Sequence, residues 1–170
     1  MAYASWSVVF GEQPSAAKWN ILGTNDAHFH SFLGDNLAWQ TWSPTWTNLT
    51  IGNGANTYAK YNVVGKTVFF KLKLTFGGTT SISGEPTFSL PVNFNSDYTT
   101  ASSDTIASTV LLRDDSTNTR QQGVLLWGSA STIIVRYMAS SEVYTPISST
   151  SPFTWATSDV MTISGFYEGV

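Results

Sequence analysis

The sequence predicts an all-β protein, an antiparallel β-sandwich of jelly-roll type with a short N-terminal helical attachment segment. The first reason is composition, because charged residues make up 11% and aromatic residues 14% of the 170 residues, against a usual charged fraction of about 25%. The second is a series of about eight short extended runs separated by turn signals, with no helical pattern between them. The third is that residues 5–37 are the one stretch with a helical pattern.

This N-terminal stretch predicts two short helices. Ser15 suits the N-cap of the first, and Gly23 suits the position just after its C-terminus. Thr24 or Asn25 can cap the second, which Gly34 ends. Isolated helices shorter than about 12–15 residues are marginal in water, so their apolar side chains must be buried against the β domain or against other copies of the segment. The residues predicted to serve this oligomerisation or attachment are Trp19, Leu22, Phe29, Phe32 and Leu33.

The domain division follows from the change of pattern. Residues 1–37 are predicted to be the helical attachment and oligomerisation segment, and residues 38–170 the β-sandwich domain. Near the start of that domain, Pro44 restricts a tryptophan-rich run to an edge or linking position, because proline cannot donate a hydrogen bond to a sheet ladder.

The clearest strand is Val68–Phe76, in which apolar residues alternate with Phe69, Lys71, Lys73 and Thr75 on the opposite face. An apolar face of this size requires a second sheet or a closed sheet to cover it. Further strands are predicted at regular spacing, and the polar run of residues 148–159 is predicted to be a loop. These strands are Thr57–Val64, Thr87–Val92, Thr105–Leu112, Gln122–Trp127, Thr132–Met138 and Val160–Phe166.

Charge and composition restrict the partners. The net charge is −3, and the 8 lysines and arginines are scattered along the sequence, so nucleic acid is not an expected partner. There is no cysteine, hence neither a disulfide nor a thiolate metal site. No signal-peptide pattern and no apolar run of membrane-spanning length is seen. We expect a protein made in the cytosol, without membrane insertion, and released by cell lysis.

Two short motifs invite an ion-binding interpretation, and both have a simpler one. His28 and His30 form an H-x-H pair, but residues two apart diverge on a helix, so no metal is predicted there. Residues 114–118 place oxygen ligands at alternate positions, but they lack the glycine and closing glutamate of a calcium loop. We predict a hairpin turn at residues 114–118, and no cofactor anywhere in the chain.

No catalytic constellation is predicted either. The carboxylates lie in or near turns, and none forms an acid and nucleophile pair with separated environments. A Ser-His-Asp triad would have to use His28 or His30 from the helical segment, and no G-x-S-x-G motif exists.

Four aromatic side chains are candidates for stacking on sugars, because Tyr and Trp combine an apolar plate with a polar group. In a small β domain most such residues belong to cores or subunit contacts, which is the competing interpretation for each of them. Tyr144 and Trp155, in predicted loops, are the stronger glycan-binding candidates, and Trp127 and Tyr137 the weaker ones.

Several blocks of the sequence resemble one family. The most specific is GEQPSAAKWNILGTNDAHF, and TWTNLTIGNG, YNVVGKTVFFKLKLTFG, FSLPVNF and SGFYEG accompany it. With these blocks the chain resembles bacteriophage and prophage tail or fibre-type structural proteins over nearly its whole length.

The resemblance implies a non-enzymatic virion protein that assembles as a homotrimer. It also implies contact with other virion proteins through the N-terminal segment, and a role in adhesion to host-surface glycans. Two alternatives remain open from the residues: a carbohydrate-binding module of a cellular protein, and a glycan-cleaving enzyme of tailspike type.

Overall fold

The structure is a computed structural model that describes residues 7, 10–95, 97, 105–139 and 143–170, without the side chains of residues 32–37 and 105. The chain divides into two compact units, residues 1–38 and residues 39–170.

The first unit contains one helix, α1 (Ala16–Leu37), where the sequence predicted two. Ser15 is its N-cap as expected, since the Ser15 side chain accepts a hydrogen bond from the Lys18 backbone N–H at 3.3 Å. The prediction of a break at Gly23 was wrong, because Gly23 keeps helical geometry and α1 continues to Leu37. A glycine inside a helix costs about 1 kcal/mol relative to alanine, and that cost alone does not end a helix.

The second unit is all-β, which confirms the predicted fold class. In the described part of residues 39–170, ten strands form one antiparallel sheet in the order β1-β3-β4-β10-β6-β7-β8-β5-β2, with β9 paired to β8. The jelly-roll arrangement is not confirmed by this order. The strands are β1 (Gln40–Thr41), β2 (Trp46–Thr50), β3 (Ala55–Val64), β4 (Thr67–Thr75), β5 (Ser81–Ser89), β6 (Thr105–Asp114), β7 (Thr119–Ser129), β8 (Thr132–Met138), β9 (Tyr144–Pro146) and β10 (Val160–Glu168).

The two ends of this strand order are consecutive in sequence, which forces the sheet to curl. Laid flat, the nine strands from β1 to β2 in the strand order would span about 38 Å at a strand spacing of about 4.8 Å. Thr41 ends β1 and Trp46 begins β2, and five Cα steps reach at most about 18 Å. The sheet therefore bends until β3 and β5, the neighbours of β1 and β2, approach each other.

Side chains of the connecting segment join the two ends. The Trp42 backbone N–H donates to the Ala59 carbonyl of β3 at 3.2 Å, while its indole N–H donates to the Ser89 carbonyl of β5 at 3.3 Å. The indole of Trp46, on β2, donates to Asn56 Oδ1 of β3 at 3.2 Å. Pro44 is buried between β1 and β2, outside both strand ladders, as its linking position predicted.

The core lies inside this curl. The predicted inner face of the alternating run is buried, with each residue at most 3% exposed, so the strongest strand prediction is confirmed together with the face it assigned; these residues are Val68, Phe70, Leu72, Leu74 and Phe76. Facing residues of β6, β8 and β10 complete the core, among them Val110, Leu112, Ile133, Val135, Met161 and Ile163.

Strand β5 differs from the prediction, since it covers Ser81–Ser89 instead of Thr87–Val92. Gly84 and Pro86 argue against a strand in sequence, but both fall where the pairing with β2 is interrupted between Thr47 and Leu49. There Asn48 adopts a positive φ of 59°, and its side-chain amide donates to the Glu85 carbonyl at 3.0 Å. A bulge therefore accommodates the missing N–H of the proline.

The turn from β6 to β7 is the hairpin predicted for residues 114–118. Asp114 accepts hydrogen bonds from the backbone N–H groups and hydroxyls of Ser116 and Thr117, which lower the pKa of its carboxyl. Asp159 is fully buried and accepts from the backbone N–H of Asp115 at 2.9 Å and of Ala156 at 2.7 Å. Burial raises the pKa of Asp159 despite these bonds.

The two carboxyls give opposite contributions to acid stability. Asp114, with its lowered pKa, stabilises the fold above the unfolded-state pKa of about 3.9, and this stabilisation disappears as the pH falls through the folded-state value. Asp159, with its raised pKa, costs stability when ionised, and the cost disappears on acidification.

We predict that Asp114→Asn lowers the free energy of unfolding more at pH 7 than at pH 3. Urea denaturation of the native protein and of the variant at both pH values measures this difference. Ser116→Ala, which removes one donor to Asp114, should act in the same direction but less. An equal loss at the two pH values would contradict the role of the ionised Asp114.

Candidate functional site

The outer face of the sheet around β4 and β10 carries exposed aromatic side chains. Because side chains alternate along a strand, burial of Phe70 and Leu72 on the inner face turns Phe69 and Lys71 outward. The antiparallel register places Phe166 of β10 opposite Phe69. Phe69 is 39% and Phe166 49% exposed. Large apolar side chains are usually buried, so two exposed phenylalanines side by side are an informative feature of this surface.

These side chains form one wall of an open groove of about 480 Å³, a volume within the range of about 300–1,000 Å³ typical of ligand pockets. Of the described residues that line it, only Lys71 is ionisable. The lining consists of Trp39, Phe69, Phe70, Lys71, Ala107, Ser108, Thr109, Ser164, Gly165 and Phe166. We call it the outer-face groove.

Two aromatic contacts organise this groove. The rings of Phe69 and Phe166 lie 5.9 Å apart at 42°, within the usual range for aromatic pairs. In the second contact, the Lys71 ammonium lies 4.4 Å from the centre of the Trp39 ring. This cation–π contact, worth about 0.5–1 kcal/mol at an exposed site, favours a position of Lys71 at the edge of the groove.

A bulge in β6 and a glycine in β10 shape the polar side of the groove. Between Ile106 and Val110, three residues of β6 lie opposite one residue of β7, so β6 departs from a regular ladder. A Cβ on Gly165 would lie 2.7 Å from the Ala107 carbonyl oxygen and 3.2 Å from the Phe70 ring. Gly165 thus permits the close approach of the bulge and the core.

Hydroxyl groups from β6 and β10 line this side. Ser164 pairs with Lys71 on one flank and with Thr109 on the other, and all three side chains are exposed. Ser108 Oγ is buried and has no hydrogen-bond partner in the part of the chain that the structure describes. The groove therefore combines apolar ring faces with hydrogen-bonding hydroxyls and one cation.

The four aromatic residues predicted from sequence to bind glycans do not form a common surface. Tyr144 is 40% exposed on the short strand β9. Tyr137 and Trp127 pair with positions at opposite ends of the β7–β8 ladder, and both pack against the core. Trp155 stacks on Phe76 at 4.4 Å and 13°.

Trp155 also uses its polar group within the fold, because its indole N–H donates to the Ser148 carbonyl at 3.1 Å. Trp155 lies in a loop, as predicted. One face of its ring and its indole N–H are both engaged in contacts within the protein. Tyr137, Trp127 and Trp155 are partly buried and pack against the core, and their contact with glycans stays a prediction.

The candidate attachment residues of α1 are exposed where their side chains are described. Trp19 is 58%, Leu22 42% and Phe29 50% exposed. The side chains of Phe32 and Leu33 lie outside the described part of the structure. His30 lies 3.6 Å from Asp26, one helical turn earlier, and His28 is half-buried.

Among the described residues, no group of three or more His, Cys, Asp or Glu side chains is arranged to hold a metal ion. Within the same residues, no helix is long and apolar enough to cross a membrane.

The outer-face groove was not predicted from the sequence, although part of the pattern that forms it is present there. The alternation of Val68–Phe76 placed Phe69, Lys71 and Lys73 on the face opposite the core. The partners of Phe69 and Lys71 on β10 depend on the pairing of β4 with β10, in which even the pair nearest in sequence, Thr75 and Val160, is 85 positions apart.

Comparisons of the chain with protein-family models, with curated proteins and with solved structures found no match.

Proposed function

We propose that this chain is a non-enzymatic structural protein of a bacteriophage particle, a tail, fibre or decoration appendage that adheres to glycans of the host surface. In this proposal α1 assembles three copies and attaches them to other virion proteins, and the outer-face groove binds the sugar. The phage assignment rests on the resemblance of the N-terminal block and the strand blocks described above.

The observation that carries the adhesive part is the exposed pair Phe69 and Phe166 beside the hydroxyls of Ser164 and Thr109. A sugar ring has apolar C–H faces and a rim of hydroxyls, so it needs aromatic plates and hydrogen-bonding groups side by side. The outer-face groove offers both in an open cleft, which an extended oligosaccharide can enter without a conformational change.

The assembly part is supported by the spacing of apolar residues on α1. Trp19, Leu22, Phe29 and Leu33 occupy positions three, seven and four apart, which are the a and d positions of a heptad repeat, with Asp26 at the intervening a position. On a helix these positions share one face. A second and third copy of α1 can cover the exposed Trp19, Leu22 and Phe29, and the number three follows the resemblance.

We predict that replacing both Phe69 and Phe166 by alanine weakens binding to the glycans retained by the native protein about 10- to 100-fold. Each aromatic contact contributes about 0.5–1.5 kcal/mol, and 1.4 kcal/mol corresponds to a factor of ten. A glycan array identifies the ligands, and titration calorimetry measures the affinities.

Tyr144→Ala is the comparison variant, because Tyr144 is an equally exposed aromatic residue outside the groove and is the competing candidate predicted from sequence. Unchanged binding by the Phe69 and Phe166 double variant, or an array with no glycan retained, would contradict the adhesive function.

For assembly, we predict a particle of three times the 18.5 kDa chain mass in light scattering, and dissociation when Trp19 and Phe29 are both replaced by serine. The control replaces Asn20 and Ala27, which lie outside the heptad face, by serine. A native monomer would contradict the trimer and favour the alternative of a cellular carbohydrate-binding module.

A further inference from the structure

Three lysines lie together on the outer face beside the groove. Lys60 of β3 is directly opposite Lys71 of β4 in the strand register, and Lys73 follows two positions along β4 on the same face. In the sequence, Lys60 is separated from Lys71 and Lys73 by more than ten residues, and the pairing of β3 with β4 brings them together. They are three of the 8 cationic side chains of the chain.

These lysines differ from most of the other cationic side chains because no carboxylate of the described residues lies within ion-pair distance of them. Lys18, Lys66, Arg113 and Arg136 each form an ion pair, with Glu12, Glu168, Asp115 and Glu85 respectively. Within the described residues, no carboxylate lies within 4 Å of Lys60, Lys71 or Lys73. The Lys60 ammonium donates to Thr41 Oγ1 at 2.6 Å, and that of Lys71 rests over Trp39.

Such an arrangement is unfavourable for the protein alone. Like charges directly opposite each other on neighbouring strands repel, and the chain has a net charge of −3, so carboxylates are more numerous than cations. An anion placed between Lys60 and Lys71 would relieve this repulsion. Because Lys71 also lines the groove, that anion would adjoin a ligand on Phe69 and Phe166.

We propose that the outer-face groove selects acidic glycans, whose sugar carboxylates lie against Lys71 and Lys60. One ring of the glycan stacks on Phe69 and Phe166, its hydroxyls meet Ser164 and Thr109, and its carboxylate points towards the lysines. Lys73 extends the cationic surface to the next acidic residue of the polymer. This inference rests on the proposed glycan adhesion and adds the chemical class of the sugar.

Single-stranded nucleic acid also combines flat rings with negative charge, so it is the competing ligand. The structure favours a glycan, because Lys71, Ser164 and Thr109 lie side by side across three strands, which places a row of hydroxyls next to the aromatic pair. A base stacked between the aromatic residues would not require that row.

The test compares hexagalacturonate with its fully methyl-esterified form, which keeps the sugar rings but lacks the charges. A thymidine oligonucleotide is the third probe, and calorimetry measures each affinity at low and high salt. We expect the acid to bind about fivefold or more tightly than the ester, consistent with modest exposed ion pairs. This preference should decrease at high salt.

Lys71→Gln should reduce the preference for the acid to near equality, and Lys71→Arg should retain it. Lys66→Gln, which removes a lysine already paired with Glu168, is the matched control and should leave the preference unchanged. Thermal unfolding of each variant reports whether the fold is intact.

The outcomes separate the two proposals. Equal binding of acid and ester, both abolished by Phe166→Ala, would overturn acidic selectivity and keep glycan adhesion. Absence of binding by either sugar, or binding that Phe166→Ala leaves unchanged, would overturn both. Tighter binding of the thymidine oligonucleotide, lost in Lys71→Gln, would overturn the glycan assignment in favour of nucleic acid.

Discussion

The β unit depends on the junction at Trp42–Thr45, where one short segment holds both ends of the sheet. Trp42 bonds to β3 through its backbone and to β5 through its indole, and the Trp46 indole returns a bond from β2 to β3. These bonds satisfy groups that would otherwise be exposed at two sheet edges, where unpaired strands are prone to pair with other chains. The buried Pro44 marks the change of partner.

Because the sheet curls on itself, the side chains of every strand point alternately to an inner and an outer face. The inner faces supply one continuous core, which makes the position of each strand insensitive to what its outer side chains are. The outer residues Phe69, Lys71, Ser164 and Phe166 are therefore held in position by buried neighbours on their own strands, which are Phe70, Leu72, Ile163 and Tyr167. A binding surface on regular strands held in this way is preorganised, which lowers the entropy lost on binding.

Local patterns predicted the elements that depend on neighbouring residues. The alternation in Val68–Phe76, the Ser15 cap and the hairpin at residues 114–118 all act over a few positions, and all three agree with the structure. Gly23 led to the wrong prediction that the first helix ends there. A glycine occurs both within helices and just after their C-terminus, and only the backbone geometry distinguishes the two cases.

Features that depend on distant pairing could not be predicted. The bulge at Asn48 makes room for Gly84 and Pro86 only because β2 lies beside β5. The exposed aromatic pair requires β10 next to β4, and the cluster of Lys60 and Lys71 requires a particular register of β3 on β4. Conversely, Trp155 looked available in sequence because its stacking partner Phe76 is 79 positions away.

The central claim is that the outer face of β4 and β10 is where this protein meets its ligand. Titration of the isotope-labelled protein with hexagalacturonate, followed by backbone and side-chain chemical shifts in NMR spectra, tests it most directly. The account predicts that the largest shift changes fall on Phe69, Lys71, Ser164 and Phe166. Changes centred on Tyr144 and Trp155, with the outer-face groove unaffected, would contradict it.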